Sequence, residues 1–502
     1  MNFFLFLLHI LFGSPAHPPV LNLRTGAEDK LYFDSLTRGG LVIGRPGSGK
    51  TIWLVMQTLL YALTFPKRPI FILDASGSFT DEFIKLVYQL PTQLQQQILP
   101  RLVYDRLGDE ELVVPFPFFS DAYGLTREEQ VQRVKQNFVK VGAHLVTQTP
   151  VMALGITETL PELSRLLSVI PDENGNWQIT EAKKLLVDSD MLALACKHFG
   201  YQIPEAKWHF EKEFLSDLVS DRERDLRTYA LRALLGGIEP APIRARVGFA
   251  KPGWTPKEAV EKGQIVLISG ENILNQETAQ AILFMDVFSQ ILAQINTRTP
   301  HDPNDEPVFL GIDEVPMLLK IPGIAEVIGS IAPMYRSRGL QMVIIIQALW
   351  QLADNLREQI WSLGNNIIFG VDDFQECYKI AQQLFKYNPT ATKHNSTWYM
   401  PTHLEPDRGQ YLSVANWIQH LQHRQVILKR YLSEGEEDPF VRFIERTSNK
   451  PNGPLPKPLA ELKRDLLQKH AIPVKDALKA INQRKLTVQT QKKQAQAKRP
   501  TI

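Results

Sequence analysis

Eight consecutive residues, Gly44-Arg45-Pro46-Gly47-Ser48-Gly49-Lys50-Thr51, constrain this chain more than any others. They fit the pattern G-x-x-x-x-G-K-[ST], and their flanks fit with them. Leu41-Val42-Ile43 leads in as a buried strand, and an apolar helical stretch leads out from Thr51. A loop of this kind turns its backbone N–H groups onto phosphate oxygens, reinforced by the positive end of the following helix. The expectation is a nucleotide site at 44–51, with the Lys50 ammonium on the outer phosphates and the Thr51 hydroxyl on Mg²⁺.

The rest of the chain reads as an α/β fold with a largely parallel sheet. Short apolar runs alternate with long amphipathic segments: Gly40–Ile43, Pro69–Leu73, Leu102–Tyr104, Leu112–Val114, Gln264–Ser269, Val308–Ile312, Met342–Ile346, Asn366–Phe369 and Gln425–Tyr431. Between about 120 and 237 the strand signals stop and helical segments follow one another. The expected division is a short apolar segment at 1–20, a nucleotide-binding domain in two parts at 21–119 and 238–450, an all-α insertion at 120–237, and a basic, partly disordered tail at 451–502. Two helices are expected in that tail, around Leu459–Gln468 and Val474–Leu486.

With 44% hydrophobic and 22% charged residues the chain is not disordered as a whole, and two cysteines exclude a disulfide scaffold or a multi-cysteine metal site. Net charge is +2, but residues 448–502 carry thirteen Lys/Arg against three acids, which leaves −8 on the body. A basic tail on an acidic body suits an anionic partner, nucleic acid or a membrane surface, or else is simply solvated. The apolar stretch Phe3–Phe12 rises only about 15 Å as a helix, too short to span a bilayer unaided. A cytoplasmic location is expected, with the cytoplasmic face of the membrane as its possible margin.

A phosphate loop needs a carboxylate at a neighbouring strand end to hold Mg²⁺ and a base to align water. Val308-Phe-Leu-Gly-Ile312 followed by Asp313-Glu314 supplies both, Asp313 for the metal and Glu314 for the water. A second strand ends in Gln347, an amide placed to sense the γ-phosphate. Arg336 and Arg338, just before that strand, are candidates to enter a neighbouring subunit's site, or else ordinary surface residues. His420 and His423 have i, i+3 spacing, yet no acid or cysteine cluster joins them, and a polar helix face explains them.

These motifs together resemble the TraG/TraD coupling ATPases of conjugation and type IV secretion, within the FtsK/HerA superfamily. The resemblance runs from Leu21 to about Arg446. It is carried by the phosphate loop, Gly263-Gln-Ile-Val-Leu-Ile-Ser-Gly270, Gly311-Ile-Asp-Glu-Val315, Ser337-Arg-Gly-Leu340 with Ile345-Ile-Gln-Ala-Leu-Trp-Gln-Leu352, and Asn365-Asn-Ile-Ile-Phe-Gly-Val-Asp-Asp373. The chain departs from the family where Asp74-Ala-Ser-Gly-Ser78 replaces a turn with a basic residue and a second acid. The resemblance implies a RecA-like (ASCE) core, ATP and Mg²⁺ as cofactors, a homo-hexamer, and translocation of DNA, single-stranded by preference. Partners implied are a relaxase and secretion-channel components; peripheral membrane contact is a separate reading, left open by Phe3–Phe12 and the basic tail. A HerA-like motor for double-stranded DNA and a non-motor ATP switch are the alternative readings.

Overall fold

The computed structural model describes residues 39–143, 154–172, 175–273, 276–300, 302, 305–319, 324–325, 328–329, 336–361, 363–384, 407–429, 441–444 and 453–484, with short strand pairs at 20–21 and 28–29 and at 392–393 and 403–404. Phe3–Phe12 and the end of the basic tail lie outside them.

In chain order from residue 39, the strands used below are β1 Gly40–Ile43, β2 Ile70–Asp74, β3 Leu102–Arg106, β4 Leu112–Val113, β5 Ile265–Ser269, β6 Val308–Asp313, β7 Leu340–Ile346, β8 Asn365–Ile368, β9 Val426–Lys429, β10 Val441–Ile444 and β11 Ile472–Pro473. The helices are α1 Lys50–Thr64, α2 Ser78–Tyr88, α3 Arg127–Val141, α4 Asp221–Gly236, α5 Glu277–Asn296, α6 Phe374–Leu384, α7 Asp407–Gln419 and α8 Leu459–Leu467. The chain forms two compact units. One comprises Met1–Arg101, Thr299–Met317 and Glu326–Leu459; the other comprises Leu102–Arg298, Leu318–Ala325 and Ala460–Ile502.

In the first unit the strand order is β10-β9-β8-β1-β7-β6-β2. From β8 to β2 the neighbours run parallel. β9 and β10 continue the edge antiparallel. All seven residues of β7, Leu-Gln-Met-Val-Ile-Ile-Ile, are buried, which is why its sequence is a continuous apolar run rather than an alternation. Its one polar member, Gln341, accepts from Tyr61 of α1 at 2.8 Å, so the buried amide oxygen is satisfied. Helix α1 is itself buried around most of its circumference, as its apolar sequence requires. The phosphate-loop strand β1 therefore lies between β7 and β8, and the acidic pair stands at the end of β6, one strand beyond β7.

The second unit begins at Leu102, earlier than the helical insertion expected from 120, and continues past 237 to Arg298. Buried ion pairs explain the difference. Asp105 of β3 accepts from both Arg246 terminal nitrogens, at 2.6 and 2.8 Å, and from Trp254 Nε1 at 2.8 Å. Arg133 of α3 pairs with Asp286 of α5. Each such charge would be costly alone in the interior, so strands β3 and β5, which pair in parallel, and helix α5 are tied to the helical segments. The helical run of this unit is interrupted. His209–Phe214 is a π-helix, and α4 starts afresh where Ser220 accepts from Glu223 N, an N-cap that terminates the preceding segment.

Helix α5 is long and apolar enough to cross a membrane by composition, but 78% of its apolar window is buried within the protein; it is a core helix.

Both tail helices are present, α8 and a second at 474–484, and they are packed. Strand β11 pairs antiparallel with β4. Val474 and Ala477 join Val113 and Ala245 in one apolar cluster. Arg484 donates to Glu181 at 3.3 Å, with both side chains 2% exposed. Residues 460–484 are thus an integral part of the second unit, although their composition reads as a solvated tail.

Candidate nucleotide site

The site is built entirely from the first unit, at the carboxyl ends of β1, β6 and β7. Position 49 shows why the loop is glycine-rich: Gly49 has φ +108°, and a Cβ there would stand 3.3 Å from Arg424 Cγ. Only glycine is comfortable with both. The Lys50 ammonium folds back over the loop, donating to the carbonyls of Gly44 and, at 2.9 Å, Arg45. Burial lowers its pKa to about 8 against the opposing pull of Asp313 and Glu314.

Asp313 stands opposite Asp74 in the β6–β2 register. Burial, then Asp74, then Glu314 raise its pKa to about 7. Its Oδ2 accepts long hydrogen bonds, both 3.4 Å, from the hydroxyls of Thr51 and Ser78. Two hydroxyls and a crowded carboxylate form a hard, oxygen-only donor set suited to Mg²⁺, and a divalent cation would relieve the repulsion among the acids. Asp74 plays a different part. It accepts from Gly77 N and Thr80 N, both at 2.8 Å, and pins the turn that brings Ser78 to Asp313. The sequence reading placed Asp74 and Gly77 in that turn but missed Ser78, whose reach depends on the turn's conformation.

Glu314 has φ +60°, a left-handed conformation that a non-glycine residue adopts at a cost and that clusters at functional sites. Its Oε1 accepts from Gln347 Nε2 at 2.8 Å. The expected base and the expected sensor are therefore in contact across β6 and β7. The turn after Gln347 is held in its own right, since Leu349 N donates to Glu376 of α6 and Arg357 donates to the carbonyls of Leu349 and Leu352.

Arg336 and Arg338 lie in a short 3₁₀ turn at the other end of β7. Seven strand residues separate them from Gln347, about 20 Å at the usual rise. They are not part of this chain's own site. Arg45 contributes backbone to the loop, while its side chain turns to Asp372 at 2.8 Å and to the Leu421 carbonyl at 3.2 Å. His420 and His423 do not share a helix face, because α7 ends at Gln419. His420 Nδ1 meets the Asn416 carbonyl, whereas His423 Nδ1 meets the carbonyl of Gly47 in the phosphate loop. Among the described residues no cluster of His, Cys, Asp and Glu is arranged as a metal site.

Residues 307–427 match the protein family described as "TraM recognition site of TraD and TraG". The fold matches the bacterial conjugative coupling protein TrwBdeltaN70 in its unbound monoclinic form with a TM-score of 0.56, at 14% identity over 86% of this chain and 89% of that one. It also matches the plasmid coupling protein TrwB in complex with the non-hydrolysable GTP analogue GDPNP, with a TM-score of 0.50, at 15% identity over 86% and 90% of the two chains. No curated protein matches the chain. The chain thus has the RecA-like P-loop fold found in conjugative coupling proteins and, through residues 307–427, resembles the TraG/TraD type.

Proposed function

We propose that this protein is an ATP-driven DNA motor of the conjugative coupling type, passing DNA or nucleoprotein toward a transfer channel from the cytoplasmic side of a membrane. The observation that carries the reading is the Glu314–Gln347 contact beside Lys50, Thr51 and Asp313, within a segment matched to TraD and TraG. A scaffold that only bound nucleotide would need no strained carboxylate beside a γ-phosphate sensor.

Lys50 would exchange its bonds to the Gly44 and Arg45 carbonyls for phosphate oxygens. Thr51 and Asp313 would hold Mg²⁺, which supplies charge neutralisation on the phosphates. Glu314 is aimed by Gln347 and accepts a proton from the attacking water. When the γ-phosphate leaves, Gln347 loses one partner and keeps Glu314, a local change that can be passed to the turn at 349–352. Arg336 and Arg338, at the far end of β7 from this site, would serve a neighbouring subunit's site if the chain forms a ring such as a hexamer. The relaxase and the channel components are the partners implied by the TraG/TraD likeness.

The test is steady-state ATP hydrolysis by the full chain, alone and with single- or double-stranded DNA, beside Glu314→Gln. Stimulation by single-stranded DNA that is lost in the variant supports the reading. Stimulation by double-stranded DNA alone transfers it to a HerA-like motor, and hydrolysis indifferent to DNA and to Glu314 refutes it.

A further inference from the structure

The turn between α7 and β9 makes hydrogen bonds to three of the eight phosphate-loop residues. The Leu421 carbonyl accepts from Arg45 Nη2 at 3.2 Å, His423 Nδ1 lies 2.6 Å from the Gly47 carbonyl, and Arg424 N donates to the Ser48 carbonyl at 3.0 Å. Arg424 Cγ would meet a Cβ on Gly49. Arg424 itself has φ +66°, which with Glu314 makes the two positive-φ non-glycine residues among those described.

The consequence follows from peptide planarity. In a trans peptide the C=O and the next N–H point in opposite directions. Holding the Gly47 carbonyl from outside fixes where Ser48 N–H points, and holding the Ser48 carbonyl fixes Gly49 N–H. Ser48 N, held in this way, donates to the Arg45 carbonyl at 3.3 Å, a bond that a phosphate oxygen would replace as the anion settles on the loop's backbone donors, and the Gly49 N–H is fixed beside it. A flipped peptide at either place would put a carbonyl oxygen where an anion must sit.

We propose that His423 is a positioning residue for the nucleotide: with the Arg424 amide it locks two phosphate-loop peptides in the anion-binding orientation. The inference rests on the nucleotide site proposed above. The strained conformation of Arg424 has a reason on this account, since it is the cost of bringing two consecutive residues, one through its side chain and one through its backbone, onto two consecutive carbonyls. The turn also feeds directly into β9, so the sheet edge and the phosphate loop are mechanically continuous.

The experiment is equilibrium binding of MgATP to the full chain, with KM and kcat for hydrolysis and a melting temperature for each variant. His423→Ala is expected to weaken MgATP binding and raise KM by about three- to tenfold, the worth of one hydrogen bond, while kcat at saturating ATP changes far less. His423→Asn, whose side-chain amide can donate to the same carbonyl, is expected to restore most of the affinity. Gln422→Ala, an exposed neighbour that does not touch the loop, is the control. A merely structural role would lower the melting temperature without separating KM from kcat and without rescue by asparagine, and that pattern overturns the proposal. Lys50→Ala keeps the two levels apart: if it abolishes MgATP binding while His423→Ala binds as the native protein does, the positioning role fails and the nucleotide site stands. If Lys50→Ala binds normally, the site reading itself fails.

Discussion

Replacing Asp313 by asparagine should make the ligand-free protein more stable at pH 8 and leave it unchanged at pH 5. In the folded chain burial and the neighbouring acids lift the Asp313 pKa from 3.8 to about 7, whereas unfolded it ionises near the ordinary value. Between those two values the folded state keeps a proton that the unfolded state has released. Stability therefore falls as pH rises through that window, and the loss is complete above about pH 7. About three pKa units at 1.36 kcal/mol each set a ceiling near 4 kcal/mol. Part is returned, because the variant also loses the attraction that helps keep the desolvated Lys50 charged. A net gain of roughly 2 kcal/mol, or about 4–8 °C in melting temperature for a domain of this size, is the expectation. At pH 5 the native carboxyl is already protonated, and asparagine is its near-isostere. The assay is thermal unfolding in EDTA at both pH values, repeated with MgATP, which should stabilise the native protein and not Asp313→Asn. Equal melting temperatures at pH 8, or the same gain at both pH values, would refute the reasoning that this site stores electrostatic strain for a cation to relieve.

Other expectations follow from the same structure. Burial holds Lys50 near pKa 8, so MgATP affinity should fall as pH rises from 7.5 to 9.5, and a flat binding profile would contradict the role given to its ammonium. Arg484→Ala leaves Glu181 buried without its ion-pair partner and should cost about 3–5 kcal/mol, read as a lower urea midpoint for the second unit; an unchanged midpoint would show the pair to be energetically idle. Chains ending at 450 should unfold the second unit, whereas chains ending at 484 should melt like the full protein, and differential scanning calorimetry separates the two. If the basic end of the tail binds DNA, the chain ending at 484 should also show a shallower salt dependence of DNA binding; an identical slope would remove the tail from the interface.

The candidate nucleotide site was legible because its signals are local. Gly44–Thr51, Asp313, Glu314 and Gln347 each sit at the end of an apolar strand, and strand ends can be read from short runs of sequence. Asp74 and Gly77 were visible as a turn, but not that the turn delivers Ser78 to Asp313. The nine expected strands are all present within a few residues of their expected limits, since continuous burial leaves a continuous apolar run. Strands β10 and β11 were not read: β10 spans four residues, Val-Arg-Phe-Ile, and β11 two, one of them proline, too little for a periodicity to register.

What the sequence determined by itself was therefore the phosphate-loop motif at the end of its strand and the parallel sheet, because both depend on residues within a loop's length of one another. Three features were left to the tertiary structure. The second unit's limits depend on Asp105 meeting Arg246 and on Arg133 meeting Asp286, pairs separated by 141 and 153 residues. The tail's incorporation depends on a two-residue strand pairing and one buried arginine. The place of His423, 376 residues from Gly47, depends on β9 lying two strands from β1. Contacts of that range leave no periodic trace in the chain, since nothing in the local spacing of either partner anticipates the other.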